Sequence, residues 1–192
     1  MARRHSQMRP LGTRAPQFAL RDTVGGRTVA LEDFAASPGL LIAFICNHCP
    51  YVKHILEGVV AFARDFGARG LAVVAISSND VEGYPEDAPA EMARIATLKG
   101  FTFPYLYDES QQVAKAYQAV CTPDFFLFDR DRRLAYRGQF DGSRPGNQVP
   151  VSGADLRAAA EALLHSSPVA SEQTASVGCS IKWKAGQEPG WA

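Results

Sequence analysis

The hydrophobic and polar positions follow two different periods along the chain, which predicts strands and helices in mixed order. Continuous apolar runs at 40–45 and 71–77 have strand length and are typical of strands buried on both faces. Between them, residues 51–66 place apolar side chains at helical spacing, and Gly67 and Gly70 follow as stop signals. This order predicts a parallel strand-helix-strand crossover at the centre of a sheet.

Weaker patterns surround this centre. Alternating runs around Gly25 and Gly26 predict a hairpin over 18–34 that covers one edge of the sheet, and 125–140 predicts a second hairpin at the far edge. After His165 the chain becomes rich in Ser, Gly and Pro, but the apolar island 177–183 predicts a tail that docks at one point. We therefore expect a flexible N-terminus at 1–14, one domain at 15–165 and a C-terminal tail at 166–192.

Composition and charge narrow the range of partners. The chain has 20 basic and 20 acidic residues and a pI near 6.9, so no strong field recruits nucleic acid or an anionic membrane. The longest apolar run, 39–46, is shorter than the roughly 20 residues that cross a bilayer. The basic N-terminus lacks the apolar stretch of a secretory signal. We expect a cytoplasmic protein that acts on small molecules or proteins.

The candidate chemistry is a C-x-x-C pair, Cys46 and Cys49, where the first apolar run meets the helix. Unpaired N–H groups at a helix N-terminus stabilise a thiolate, and such motifs reach pKa values of about 3.5 to 7.5. We place the helix start at Cys46 and predict that Cys46 is the more exposed, attacking thiol. Cys49, one turn further in, is then the resolving thiol. A charged His48 would favour the reduced pair and raise its potential above that of a strongly reducing dithiol.

Other interpretations of the cysteines stay open. A C-x-x-C pair is also half of a zinc site, but the remaining ligands usually come from a second close pair, and Cys121 and Cys179 are far apart. We predict no metal site and no cofactor. Cys121 is either a third thiol or, as we favour, a small apolar filler. Cys179 either packs within the docked island or acts as a tail thiol that resolves or regulates Cys46.

The segments around the pair resemble known families. A strand, C-x-x-C at a helix start and VCTPDFFLFD at 120–129 resemble the thioredoxin superfamily over 15–165. The resemblance implies a three-layer α/β/α sandwich with a mixed central sheet, and a cis-proline loop facing the pair, matched here by Thr122 and Pro123. The hairpin, CNHCPYVKH, YPEDAP and GCSIKWK are similar to a peroxiredoxin-like bacterial subfamily with a redoxin (AhpC-TSA-like) domain.

Two departures from these families bear on function. Peroxiredoxins polarise peroxide with hydroxyl and arginine groups, but Gly39 and Ala43 stand at the matching Pro and Thr positions, and Pro123 replaces the arginine. Thioredoxins carry a buried aspartate on the strand before the pair, and LLIAFI has no acid. Proton transfer for Cys49 is therefore left to water or His54.

Three functions follow from these residues. The leading hypothesis is a thiol-disulfide oxidoreductase that reduces or exchanges protein or small-molecule disulfides and is recharged by a thiol donor. The second is a thiol peroxidase in which Cys46 reacts with peroxide and is resolved by Cys49 or Cys179. The third is a non-enzymatic module that uses the pair to bind a metal or a partner.

Overall fold

The computed structural model describes residues 3–191, which form a mixed α/β architecture. The strands are β1 Arg3–His5, β2 Ala19–Asp22, β3 Thr28–Ala30, β4 Leu40–Phe44, β5 Ala72–Ser77, β6 Tyr105–Tyr107, β7 Cys121–Thr122, β8 Asp124–Phe128, β9 Leu134–Gly138 and β10 Val177–Ser180. The helices are α1 Pro50–Gly67, α2 Pro89–Leu98, α3 Gln112–Tyr117 and α4 Ala154–Leu164. Short 3-10 helices cover Leu31–Phe34 and Pro85–Asp87.

The main sheet has seven strands in the order β3-β2-β6-β5-β4-β8-β9. Strands β4, β5 and β6 are parallel neighbours, and the remaining pairs are antiparallel. The predicted parallel centre is confirmed, as are the hairpins at both edges, β2–β3 and β8–β9. The sheet is therefore mixed, as expected, and it places the C-terminal end of β4 next to β8.

Alternating side chains of the central strands bury both faces of the sheet. Leu41 and Ala43 of β4 pack in one core cluster with residues of α1, α2 and α4, whereas Leu40, Ile42 and Phe44 pack in a second cluster with α3. Strands covered on both faces read as continuous apolar runs, which explains the sequence pattern of β4 and β5. The result is the three-layer α/β/α sandwich that the sequence predicts.

The C-terminal tail docks through β10, which forms a second sheet in the order β1-β10-β7. Ile181, just beyond β10, is buried, and the Trp183 and Trp191 rings meet edge to face at 6.3 Å. The division into N-terminus, domain and tail stays a prediction, although residues 3–5 of the predicted flexible segment form β1. Within residues 3–191, no helix is both long and apolar enough to cross a membrane.

Candidate active site

The two cysteines of the C-x-x-C pair lie in the junction between β4 and α1. The helix begins at Pro50, and Cys49 is its N-cap residue with extended backbone angles of −66° and 123°. The prediction that the helix begins at Cys46 is wrong, and Pro50 gives the reason. Proline suits the first helical position and disfavours helical angles in the residue before it, so Cys49 cannot lie inside the helix.

Both sulfur-bearing residues are buried. Cys46 is 1% exposed and Cys49 is 0% exposed, so neither residue is the exposed thiol that the sequence analysis expects at Cys46. The N-terminal end of α1 is covered by the loop before β8 and by the docked tail, neither of which the local sequence around the pair displays. A substrate therefore reaches either sulfur only if a neighbouring segment moves.

The loop matched to the cis-proline loop does face the pair. The Thr122–Pro123 peptide bond is cis. The Thr122 hydroxyl lies 3.2 Å from the Cys46 sulfur, and the Thr122 carbonyl oxygen lies 3.2 Å from the Cys49 sulfur. Thr122 thus touches both thiols, which is the placement that the resemblance implies.

The surroundings of the pair favour a thiolate on Cys49. The pKa of Cys49 is lowered to about 5, and the largest cause is the interaction with Cys46. The side chain of Cys179 and the main chain at Val52 and Cys179 act in the same direction, whereas burial opposes them. The contact between the Cys49 sulfur and the Thr122 carbonyl oxygen favours the protonated thiol, but the interactions that favour the thiolate outweigh it. Burial, the hydrogen bond with Cys49 and the charge of Asp87 raise the pKa of Cys46 well above its usual range. The cysteine with the lowered pKa is therefore Cys49, not the Cys46 that the sequence analysis expects to attack.

A buried carboxylate, Asp87, lies beside the pair, although the sequence shows it only as part of a polar loop. Its Oδ1 accepts main-chain hydrogen bonds from Asn47 at 2.7 Å and His48 at 3.1 Å. Its Oδ2 accepts from the Asn79 amide at 2.7 Å and lies 2.6 Å from Nδ1 of His48. Burial acts to raise the pKa of Asp87, but these hydrogen bonds outweigh it and the pKa is lowered. Asp87 is therefore a fully hydrogen-bonded anion.

His48 is held in one orientation by Asp87 and Tyr84. Its ring stacks on Tyr84 with centroids 4.8 Å apart, and its buried Nε2 has no hydrogen-bond partner within residues 3–191. A ring nitrogen of His48, an oxygen of Asp87 and the Cys46 sulfur all lie within 4.8 Å of one another. When Nδ1–H donates to Asp87, Nε2 is left as a proton acceptor.

The remaining candidate residues lie at different distances from the pair. Cys179 packs in the same buried cluster as Cys46 and Cys49 and helps to lower the pKa of Cys49, so the tail thiol lies beside the pair. The Cys121 sulfur instead lies 3.8 Å from the Ser6 hydroxyl and 3.7 Å from the Pro123 carbonyl oxygen. His54, considered from the sequence as a proton acceptor for Cys49, has its Nε2 2.7 Å from the Ser143 hydroxyl.

Comparisons with known proteins were made for the sequence and for the fold. A model of the AhpC/TSA family matches residues 11–137. None of the curated proteins matches the sequence. A conserved protein from Geobacillus kaustophilus, described as uncharacterized, is 53% identical with a TM-score of 0.94, over 96% of this chain and 98% of that chain. A hypothetical protein from Sinorhizobium meliloti 1021 is also 53% identical, with a TM-score of 0.93 over 95% and 99% of the two chains.

More distant structures share the fold. A thiol:disulfide interchange protein of the thioredoxin family from Chlorobium tepidum TLS is 16% identical with a TM-score of 0.62, over 83% of this chain and 99% of that chain. Peroxidoxin BcpB from Mycobacterium tuberculosis is 19% identical with a TM-score of 0.59, over 81% and 96%. The predicted thioredoxin-like fold is confirmed by these likenesses.

Proposed function

The chain belongs to the AhpC/TSA family, and from this premise we propose that it is a thiol-disulfide oxidoreductase acting through Cys46 and Cys49. The observation that supports the proposal most strongly is the contact of both sulfurs with Thr122, at the N-terminus of α1. Two thiols that are held against one residue in this way are arranged to exchange with a disulfide.

In the proposed cycle, Cys46 attacks one sulfur of a protein or small-molecule disulfide and releases the other as a thiolate. The Cys49 thiolate then attacks the Cys46 sulfur, forms the Cys46–Cys49 disulfide and releases the second substrate thiolate. Two electrons pass from the pair to the substrate, and the released thiolates take up protons from the site and from water. A thiol donor, whose identity is left open, reduces the pair again.

The raised pKa of Cys46 gives His48 and Asp87 a place in this cycle. Cys46 must lose its proton to attack, and its neighbours disfavour the thiolate, so a nearby base is needed. We assign that role to His48, with Asp87 as the residue that orients the ring.

The stabilised Cys49 thiolate bears on the reduction potential. The surroundings of Cys49 stabilise its thiolate, and this stabilisation exists only in the reduced protein because the thiolate disappears when the disulfide forms. The reduced state is therefore favoured. We therefore propose a pair that is more oxidising than a strongly reducing dithiol, in line with the expectation from His48, but with Cys49 as the main cause.

Peroxide reduction is the second candidate. The Thr122 hydroxyl, 3.2 Å from the Cys46 sulfur, supplies a hydroxyl group that the residues before Cys46 lack. The buried Arg137, however, is engaged by Asp124 and by the carbonyl oxygens of Tyr117 and Gln118. Without a free guanidinium to polarise peroxide, we rank this activity below disulfide exchange.

Metal binding has weaker support. Cys46, His48 and Asp87 offer three donor atoms within 4.8 Å, a spacing that a cation could use. Each oxygen of Asp87, however, already accepts two hydrogen bonds, so a metal would have to displace protein donors. We interpret the cluster as a hydrogen-bonded network and propose neither a metal nor a cofactor.

The test of the proposed function compares two serine variants with the wild type. The reduced proteins are mixed with a disulfide peptide, and the release of thiol is followed. We expect Cys46→Ser to release thiol far more slowly than the wild type, because the peptide must then react directly with Cys49, and we expect Cys49→Ser to accumulate a mixed disulfide between Cys46 and the peptide. Full activity of the Cys46 variant would refute the proposal. In a parallel run with hydrogen peroxide, we expect Cys46 to form sulfenic acid no faster than free cysteine does.

A further inference from the structure

The tail strand β10 brings a third thiol to the pair. In the register of β10 and β7, Cys179 lies directly opposite Thr122. Thr122 is also the residue that contacts the Cys46 and Cys49 sulfurs. Strand β10 begins more than a hundred residues after the pair, and it places Cys179 opposite the residue that both sulfurs contact.

Cys179 lies beside the pair in the packed core. It belongs to the same cluster of buried side chains as Cys46 and Cys49, and it is only 3% exposed. The nearness of Cys179 also helps to lower the pKa of Cys49. Cys121 lies on the neighbouring strand, but its sulfur has Ser6 and Pro123 as partners. Of the two cysteines outside the pair, Cys179 is thus the one that packs in the cluster holding it.

The close approach of the tail depends on Gly178. A Cβ atom at this position would lie 2.0 Å from the carbonyl oxygen of Thr122 and 2.6 Å from its carbonyl carbon. Since both of those are main-chain atoms, a larger residue would push β10 away from β7. Glycine therefore lets Cys179 reach Cys49.

We infer that Cys179 is a third redox-active thiol, which attacks Cys49 once the pair is oxidised. This inference rests on the proposed function. The Cys179 thiolate attacks the Cys49 sulfur of the Cys46–Cys49 disulfide, the Cys49–Cys179 bond forms, and Cys46 leaves as a thiolate. The proton lost by Cys179 ends on Cys46. The exchange is electron-neutral within the protein and needs no further oxidant.

The reduced site holds Cys179 inactive. Burial, then the hydrogen bond to Cys49 and the negative charge of Cys49, raise the pKa of Cys179 to about 12. When Cys49 enters a disulfide its negative charge disappears, so one cause of the raised pKa is removed. Cys179 therefore becomes a better nucleophile only after the pair has been oxidised.

The exchange would join the tail covalently to the N-terminus of α1 and return Cys46 as a free thiol. In that state β10 is held over the pair, and Cys46 is the thiol of the pair that is not in a disulfide. The tail then links the oxidation state of the pair to the covering of the site.

The experiment maps disulfide bonds in the full chain. Reduced protein receives one equivalent of oxidised glutathione, is sampled over time, quenched with acid and alkylated. After trypsin digestion, fragmentation of the peptide 28–53, which carries both Cys46 and Cys49, identifies the bonded sulfur. In the wild type we expect the Cys46–Cys49 bond first and the Cys49–Cys179 bond later, with Cys46 alkylated. In Cys46→Ser we expect Cys49–Cys179 to exceed Cys49–Cys121 at least ten-fold.

A second variant keeps all four cysteines and moves only the strand. Gly178→Ala is expected to lower the yield of Cys49–Cys179 at least five-fold while the Cys46–Cys49 bond still forms. The matched control is Gly190→Ala, a tail glycine whose Cβ would meet no atom within 4 Å. Circular dichroism of each variant confirms that it is folded.

The outcomes separate the two proposals. One outcome is that the wild type forms Cys46–Cys49 and that Cys49–Cys179 appears neither in the wild type nor in Cys46→Ser. This outcome overturns the role of Cys179 and leaves the proposed function intact. Absence of both bonds, with cysteines recovered only as glutathione adducts, overturns the proposed function itself. An equal yield of Cys49–Cys121 and Cys49–Cys179 also overturns the inference, because it shows random exchange.

Discussion

Asp87 is the residue on which the acid–base chemistry of the site depends. It is fully buried, accepts two main-chain hydrogen bonds from the loop that carries the pair, and lies 2.6 Å from Nδ1 of His48. Its negative charge disfavours a thiolate on Cys46. In the proposed cycle, Asp87 also orients His48, the residue to which we assign the role of base.

Asp87→Asn is expected to slow disulfide exchange by about ten-fold or more, because His48 loses the acceptor that fixes its Nδ1 proton. The same change removes a charge that raises the pKa of Cys46, so that pKa should fall. Stopped-flow rates against pH measure both effects, and thermal unfolding shows whether the variant is folded. Glu86→Gln, the exposed neighbour, is the control. Identical pH profiles for Asp87→Asn and the wild type would contradict the assigned role.

At the scale of elements, the start of α1 decides which sulfur carries charge. Pro50 fixes the first helical position, so Cys49 becomes the N-cap, and the main chain at Val52 in the first turn helps to lower the pKa of Cys49. The helix N-terminus thus favours the anion on Cys49. The hydrogen bond from Cys46 is the largest single cause of the lowered pKa of Cys49.

Replacing Cys46 by alanine or by serine tests that cause. Cys46→Ala removes the donor, so the pKa of Cys49 should rise from about 5 toward its ordinary value. Cys46→Ser keeps a hydroxyl donor and should raise it less. Ultraviolet absorbance of the thiolate against pH gives the values. Since a lowered pKa adds stability that is lost as pH falls from about 8.5 to about 5, the alanine variant should lose less stability over this range. Equal pKa values in both variants would contradict this explanation.

At the scale of the whole molecule, one buried ion pair joins segments from distant parts of the chain. Arg137 of β9 and Asp124 of β8 are fully buried and 3.1 Å apart, and Arg137 also donates to the carbonyl oxygens of Tyr117 and Gln118. Asp124 accepts a 2.6 Å hydrogen bond from Ser6. Burial raises the pKa of Asp124 although Arg137 opposes this. The pair is therefore sensitive to the loss of either partner.

Arg137→Leu is expected to lower the free energy of unfolding by about 3–5 kcal/mol, because it leaves the charge of Asp124 buried without a partner. Urea unfolding measures the change. The exposed pair Arg69–Glu161 gives the control, since Arg69→Leu should leave the free energy of unfolding nearly unchanged. The double variant Arg137→Leu/Asp124→Leu should recover part of the lost stability. A double variant as unstable as the sum of both single variants would contradict this mechanism.

The sequence by itself determined the elements that depend on local pattern. Continuous apolar runs specify β4 and β5, helical spacing specifies α1, and turn residues specify the edge hairpins, because these periods reflect contacts within one element and its immediate neighbours. The C-x-x-C pair is a local motif at the end of an apolar run, whereas Thr122 and Pro123 were located through the resemblance to the thioredoxin superfamily. The helix start also has a local cause, because Pro50 suits the first helical position and disfavours helical angles at Cys49.

Only the tertiary structure decided the burial, the charge and the neighbours of the pair. Asp87 is 38 residues beyond Cys49, and Cys179 is 130 residues beyond it, and no periodic pattern reports which polar side chain a fold brings to a given sulfur. The pKa of a thiol depends on burial and on donors within hydrogen-bond reach, so the order of the two pKa values followed from contacts across the chain. The sequence located the two thiols, and the packing of a distant loop and the tail set their electrostatic surroundings.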